Sequence, residues 1–451
     1  MARCHCRSVE DMLTAERLAP QIPLLSLGPA RFGLVAACDN GLLEVTGLSL
    51  PIGCICRIEQ ESGSDMAAEV IGFRNGRTLM MMLGDSALLS PGSRVYPEGR
   101  PGMVPVGEAF LGRAVDGRGH PIDGGPPVQV AQFWPAGGMR SGALDRSPVT
   151  RPFDCGIRAI NALATMGQGQ RIGIMAGSGV GKSVLIDMIA QGADADIVIF
   201  ALIGERAREV SGFVARHMSG AKRQRAITIA VPADHAPNLR LRAAQLAVAQ
   251  AEYFRAQGKS VLLIMDSLTR VAHAAREIGL LLGEPGSARG YPPSALAMIN
   301  RLVERAGNSA QSGGAVTGIY TVLADGDDEN DPVVDTARAI LDGHIVLSRA
   351  IAQRGQYPAI DVGASLSRVM SDVAGREHRT DATVLRALCA SYEANRDLVL
   401  MGAYRAGADA QLDRAMAMQP AIQGFLAQET DELCPLDNSV AALHALVAGP
   451  P

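Results

Sequence analysis

One run restricts what this chain can fold into more than any other feature. It is Ala176-Gly177-Ser178-Gly179-Val180-Gly181-Lys182-Ser183, entered from the apolar segment Arg171-Ile172-Gly173-Ile174-Met175. Glycines let successive backbone N–H groups curve around phosphate oxygens, and a helix opening at Gly181 adds the favourable end of its dipole. A lysine is the compact point charge suited to the β/γ phosphates, and a following hydroxyl is suited to Mg²⁺. The strict form of the motif begins with Gly, whereas Ala176 stands here. The chain has only three lysines, Lys182, Lys222 and Lys259, in a total of 42 Lys and Arg, and one of the three falls in this loop. The local order strand, loop, helix predicts an α/β nucleotide-binding core.

The surrounding pattern extends that core. Apolar runs at Arg171–Ala176, Ile197–Leu202, Ala226–Val231, Val261–Met265, Val316–Leu323 and His344–Leu347 alternate with helical stretches near 181–192, 238–257 and 295–307. Such alternation indicates a mostly parallel sheet. Upstream, short apolar runs broken by turns (Phe32–Ala36, Leu42–Val45, Ala68–Phe73, Thr78–Met82) predict a small antiparallel β-barrel. The Pro/Gly-rich stretch Tyr96–Gly102 reads as a linker. The Ala/Leu-rich C-terminal part reads as helices broken at Gly402 and Pro420. The expected division is a lead-in segment at 1–24, a barrel at 25–97, the ATPase core at 98–378 and a helical domain at 379–451.

Two acidic positions complete a hydrolytic site. Asp266 ends the apolar run Val261–Met265, where a buried strand delivers a carboxylate to the Mg²⁺ shell. Glu205, in Gly204-Glu205-Arg206-Ala207-Arg208-Glu209, follows the run Ile197–Leu202. This placement predicts a water-polarising carboxylate on the strand next to the phosphate loop.

Composition narrows the alternatives. The formal net charge of −4 and the 4% aromatic content, with Trp134 as the single tryptophan, argue against a nucleic-acid-gripping surface. No uninterrupted apolar run is long enough to span a membrane. Glu10, Asp11 and Glu16 interrupt the place of a signal-peptide core, which predicts a cytoplasmic protein. Eight scattered cysteines suggest reduced, structural thiols; the pairs Cys4/Cys6, with His5 nearby, and Cys54/Cys56 leave a metal-binding alternative open.

Taken with further stretches, the chain resembles the RecA-like hexameric ATPases of the rotary ATP synthase superfamily. These stretches are Val104–Glu108, Leu111–Asp116, Pro121–Gly124, Gly204-Glu205-Arg206, Tyr357–Asp361 and Ser365-Leu366-Ser367-Arg368. Within the superfamily it is most similar to the type III export ATPases, the flagellar branch in particular. Gly156–Asn161, Gly290–Ser294, Leu302–Gly307 and Asp335–Arg349 carry that likeness.

The resemblance implies ATP and Mg²⁺ as cofactors, with Ala176–Ser183 and Val184 around the nucleotide and Ser183 and Asp266 on the metal. It implies Lys182, Glu205, Arg206 and Arg270 as catalytic groups and Tyr357 as the aromatic that stacks on adenine. Arg368 is implied as a finger donated to the neighbouring subunit. Because one chain carries both the Glu205 set and Arg368, a homohexamer is expected. Implied partners are a stator-like regulator at the N-terminus, a central-stalk protein, export chaperone–substrate complexes and a membrane export gate, with the loop Gly283–Gly290 facing the ring axis. The implied location is cytoplasmic, peripheral to the inner membrane. Injectisome export is the neighbouring alternative, and an RNA-translocating hexameric helicase the more distant one.

Overall fold

The computed structural model describes residues 31–60, 65–84, 89–139, 142–177, 179–217, 220–323 and 331–449. The lead-in segment 1–24, with Cys4, His5 and Cys6, and Ser178 of the phosphate loop lie outside the described residues.

Six antiparallel strands close a barrel: β1 (Gly33–Asp39), β2 (Leu42–Thr46), β3 (Ile55–Ile58), β4 (Met66–Arg74), β5 (Arg77–Met82) and β6 (Arg94–Glu98), in the order β1-β2-β5-β4-β3-β6. Alternate residues point inward, so Val35, Leu43, Val45, Cys56, Ile58, Val70, Met80 and Val95 fill the interior. The Cys54 and Cys56 thiols share this core, where burial pushes Cys56 up to about 12 and keeps it protonated.

One expectation fails here. Tyr96, Pro97 and Glu98 belong to the strand that closes the barrel, not to a linker. Val95 to Glu98 pair with β3, and Arg94 and Val95 pair with β1. Closure removes two exposed sheet edges, which outweighs the lost N–H of one proline near a strand end.

The second body is a nine-stranded sheet. In chain order its main elements are β7 (Ala114–Val115), β8 (Arg171–Ala176), α1 (Lys182–Gly192), β9 (Ile197–Ile203), α2 (Ala207–His217), β10 (Ala226–Val231), α3 (Pro237–Ala256), β11 (Ser260–Asp266), α4 (Leu268–Leu281), α5 (Pro293–Val303), β12 (Ala315–Leu323), β13 (Gly343–Leu347) and β14 (Ile360–Ser367). The strand order is β14-β13-β8-β12-β11-β9-β10-β7, with Gly307–Asn308 pairing beside β12. All neighbours along this path are parallel except β13 and β14.

Both faces are covered, and β9 shows why its run is continuously apolar. Ile199, Ala201 and Ile203 enter the core beneath α3, α4 and α5, while Val198, Phe200 and Leu202 enter the core on the other face. Burying each large side chain contributes about 1.5–3 kcal/mol.

Three C-terminal helices, α6 (Arg376–Leu400), α7 (Ala410–Leu426) and α8 (Leu436–Ala448), pack on that second face through Leu385, Leu388, Met418, Ile422, Phe425 and Leu443. The expected break at Pro420 is absent: the residue sits inside α7. Met418 on one side and Ile422, Phe425 and Leu426 on the other are all buried, so packing holds the helix across the proline's missing hydrogen bond. At Gly402 (φ +68°) the chain does leave the helix. Among the described residues, no helix is long and apolar enough to cross a membrane.

Candidate active site

The phosphate loop follows β8 at the C-terminal edge of the parallel strands, where a doubly wound sheet opens its ligand crevice. Gly181 has φ +95° and caps α1, a conformation a side chain would strain. The ring of Tyr357 lies beside it: a Cβ added at Gly181 would be in ordinary van der Waals contact, 3.7 Å from Tyr357 Cδ1 and Cε1. Leu185 N–H makes the first helical bond, to Gly181 O at 3.0 Å. The amides of Lys182, Ser183 and Val184 therefore belong to the unsatisfied first turn that attracts anions.

The Lys182 ammonium bridges two carboxylates. It lies 3.3 Å from Glu205 Oε1 and pairs more closely with Asp266 Oδ1. Asp266 is buried at the end of β11, and Thr321 Oγ1 donates to its Oδ1 at 2.6 Å. Burial raises the pKa of Glu205 above the usual carboxylate range. The charge of Asp266 adds to the shift, and Lys182 partly offsets it. A cavity of about 200 Å³ opens beside them, lined by Ser183, Ile186, Glu205, Glu209 and Asp266 among others.

Glu205 does not sit on the strand next to the phosphate-loop strand. β12 and β11 lie between β8 and β9. Glu205 still reaches the site because β9 ends at the same edge of the sheet and the long Lys182 side chain leans across it. The turn at Gly204 (φ +73°) packs so closely on Arg270 that a Cβ there would lie 2.8 Å from Arg270 Cβ. Arg270 Nε is buried without a hydrogen-bond partner among the described residues.

Comparison with known proteins gives this geometry a family. Residues 156–367 match the nucleotide-binding domain of the ATP synthase alpha/beta family, and residues 374–445 match the C-terminal domain of the type III secretion ATPase EscN. The flagellum-specific ATP synthase of Pseudomonas aeruginosa is 47% identical across 90% of this chain and 91% of its own length. That of Salmonella typhimurium is 45% identical across 94% and 95%. The chain belongs to this family of flagellar and type III secretion ATPases. The assembled EscN ATPase of enteropathogenic E. coli shares the fold with a TM-score of 0.87 and 38% identity, over 92% of this chain and all of EscN. EscN in complex with its central stalk EscO gives a TM-score of 0.84.

The remaining predicted positions of this ATPase fall in two groups. Tyr357 joins the site: its ring is half exposed beside Gly181, and its carbonyl accepts from Gln428 N–H at 2.9 Å. Arg206 and Arg368 stand outside it. Arg206 is exposed and pairs with Glu209 at 3.6 Å. Arg368 is exposed, its guanidinium donating to Arg338 O at 3.2 Å.

Arg368 follows β14, whose end at Ser367 is opposite Gly343 at the start of β13. Its N–H donates to Asp342 O at 2.9 Å, and Asp342 in turn grips Arg171 at the start of β8. Arg368 is therefore at the opposite edge of the sheet from its own phosphate loop.

Sequence reasoning missed Thr321. A hydroxyl interrupting the buried run of β12 was the available signal, since a buried hydroxyl needs a partner and here orients Asp266.

Proposed function

We propose that this ATPase hydrolyses Mg-ATP as a homohexamer and energises export of flagellar proteins through a type III secretion apparatus. The observation that carries the hydrolytic reading is the Lys182 ammonium held between Glu205 and Asp266 at the mouth of the phosphate loop. Phosphate oxygens compete with both carboxylates for that ammonium, and the first-turn amides of α1 bind the same anion. Freed from the pair, Glu205 polarises the attacking water. Tyr357 offers a ring face for adenine, and Arg270 supplies positive charge beside the transferring phosphoryl group.

Ser183 and Asp266 are hard oxygen donors of the kind Mg²⁺ prefers. The ion would neutralise charge developing on the phosphates. The position of Arg368 at the far edge of its own sheet supports a role across a subunit interface. The relationship to EscN, solved as an assembled ATPase and with its stalk, supports a ring of this chain with a central-stalk partner. The identities of 47% and 45% to flagellum-specific relatives support flagellar cargo. A cytoplasmic location at the inner-membrane export gate, a stator-like regulator and chaperone–substrate complexes complete the reading.

The test pairs an assay with a phenotype. Lys182→Ala should abolish ATP hydrolysis, because each lost charge-assisted contact to phosphate costs about 1.5–3 kcal/mol. The same variant should fail to restore swimming to a strain deleted for this gene. Near-normal turnover in Lys182→Ala would remove the phosphate-loop assignment. Normal swimming of the deletion strain would remove the flagellar one.

A further inference from the structure

Lys182 and Ser183 open α1, Glu205 lies two residues ahead of α2, and the two helices are tied to each other away from the chemistry. A cavity of about 200 Å³ runs between the helices, from Ser183 and Glu205 at their openings past Ile186 and Phe213 to Arg216. α2 buries only Val210 and Phe213 fully, so little apolar contact fixes its orientation.

The tie is at the other end of α2. Asp187, on α1, accepts from Arg216 Nε at 3.1 Å with one carboxylate oxygen and lies 2.7 Å from His217 Nε2 with the other. Only 18% of the Asp187 side chain and 11% of the His217 side chain are exposed, so water competes weakly for this bond. The His217 ring is itself clamped, 4.2 Å from the Phe213 centroid and 4.9 Å from that of Phe200.

We propose that Asp187 is a positioning residue for hydrolysis: by gripping Arg216 and His217 it sets the angle of α2 to α1, and so the placement of Glu205 against Lys182 and Ser183. The cavity along the gap between the helices is the reason a clip away from the chemistry matters. Among the described residues the tie nearer the chemistry is the Lys182–Glu205 ion pair at 3.3 Å; phosphate oxygens displace it when nucleotide binds, which leaves the Asp187 clip to keep the two helix openings in register. Misplacing a catalytic group by about 1 Å costs on the order of a hundredfold in rate, so small rotations of α2 count. The proposal rests on Glu205 as the water-polarising carboxylate.

The experiment measures steady-state hydrolysis and nucleotide binding on sized, assembled protein. Asp187→Ala and the nearly isosteric Asp187→Asn should lower kcat by about tenfold or more, as for a displaced catalytic group. KM for ATP and nucleotide affinity should stay within roughly threefold of wild type, since a group acting only on the transition state leaves binding intact. His217→Phe keeps the ring stacking and removes the shorter of the two bonds to Asp187; if the Asp187 variants fail to assemble, it should lower kcat severalfold, and wild-type kcat in this variant overturns the proposal. Asp187→Glu, which retains the carboxylate, should recover part of kcat.

A double-mutant cycle separates positioning from general structural damage. In a Glu205→Gln background, Asp187→Ala should cause no further loss of single-turnover rate. Unchanged kcat in Asp187→Ala, or an equal fractional loss in the Glu205→Gln background, overturns the proposal while leaving the active-site reading intact. Normal turnover by Glu205→Gln alone overturns both.

Discussion

Arg368→Ala tests the ring directly, because the structure gives two very different magnitudes for its effect. Arg368 is bound through Asp342 to the start of β8, and the phosphate loop begins after the end of β8 at Ala176. Five strand steps at about 3.3 Å each separate the two by roughly 17 Å. No side chain spans that gap. In water the interaction of unit charges at that distance is about 0.2 kcal/mol before salt screening, less than a twofold rate effect. An arginine finger acting on a neighbour's phosphoryl group is worth about 10³–10⁵ in rate. The expected outcome is therefore loss of hydrolysis in assembled Arg368→Ala with nucleotide binding retained. Mixing with Lys182→Ala should restore partial activity, since a mixed interface joins an intact Lys182 to an intact Arg368. Assembly is checked by sizing before each assay. Wild-type turnover in an assembled Arg368→Ala ring would refute the reasoning.

Two further outcomes follow from the electrostatics. Glu205→Gln should keep Mg-nucleotide binding and lose turnover, checked by measuring the two separately; a parallel loss of both would make Glu205 structural. In the wild type, hydrolysis needs the charged form of Glu205. Because burial and Asp266 raise its pKa, the acid limb of kcat/KM should lie at higher pH than that of an ordinary glutamate. Asp123 behaves in the opposite sense. Its bidentate bond to Arg113, at 2.8 and 2.9 Å, and the N–H groups of Gly125 and Ala114 hold its carboxyl well below the usual range. A depressed carboxylate contributes stability above its unfolded pKa and loses it as pH falls through the folded value. Urea unfolding should show Asp123→Asn less stable at pH 7, with the difference narrowing only below about pH 4. A difference that narrows between pH 7 and 5 would contradict this.

What was legible in the sequence was what neighbouring residues decide among themselves. The phosphate loop is eight consecutive residues whose glycines, lysine and hydroxyl each serve a local need. The strands Arg171–Ala176 and Ala226–Val231 were readable to the residue, because a strand buried on both faces writes a continuous apolar run. The barrel was visible as turns between short alternating runs.

Elsewhere the outcome depended on partners distant in the chain. Tyr96–Glu98 opens a Pro/Gly-rich stretch, yet it belongs to β6 because β1 and β3 need a strand to close the barrel. Pro420 stays helical because buried side chains on both sides of it are held by the core. The order of strands is a property of the folded sheet. It put β11 and β12 between Glu205's strand and the phosphate loop, and it left Lys182 to join Glu205, 23 positions away, to Asp266, 84 positions away. That junction, the grip of Thr321 on Asp266 and the remoteness of Arg368 from its own site arise only when the sheet assembles, since local propensity carries no information about which strand lies beside which.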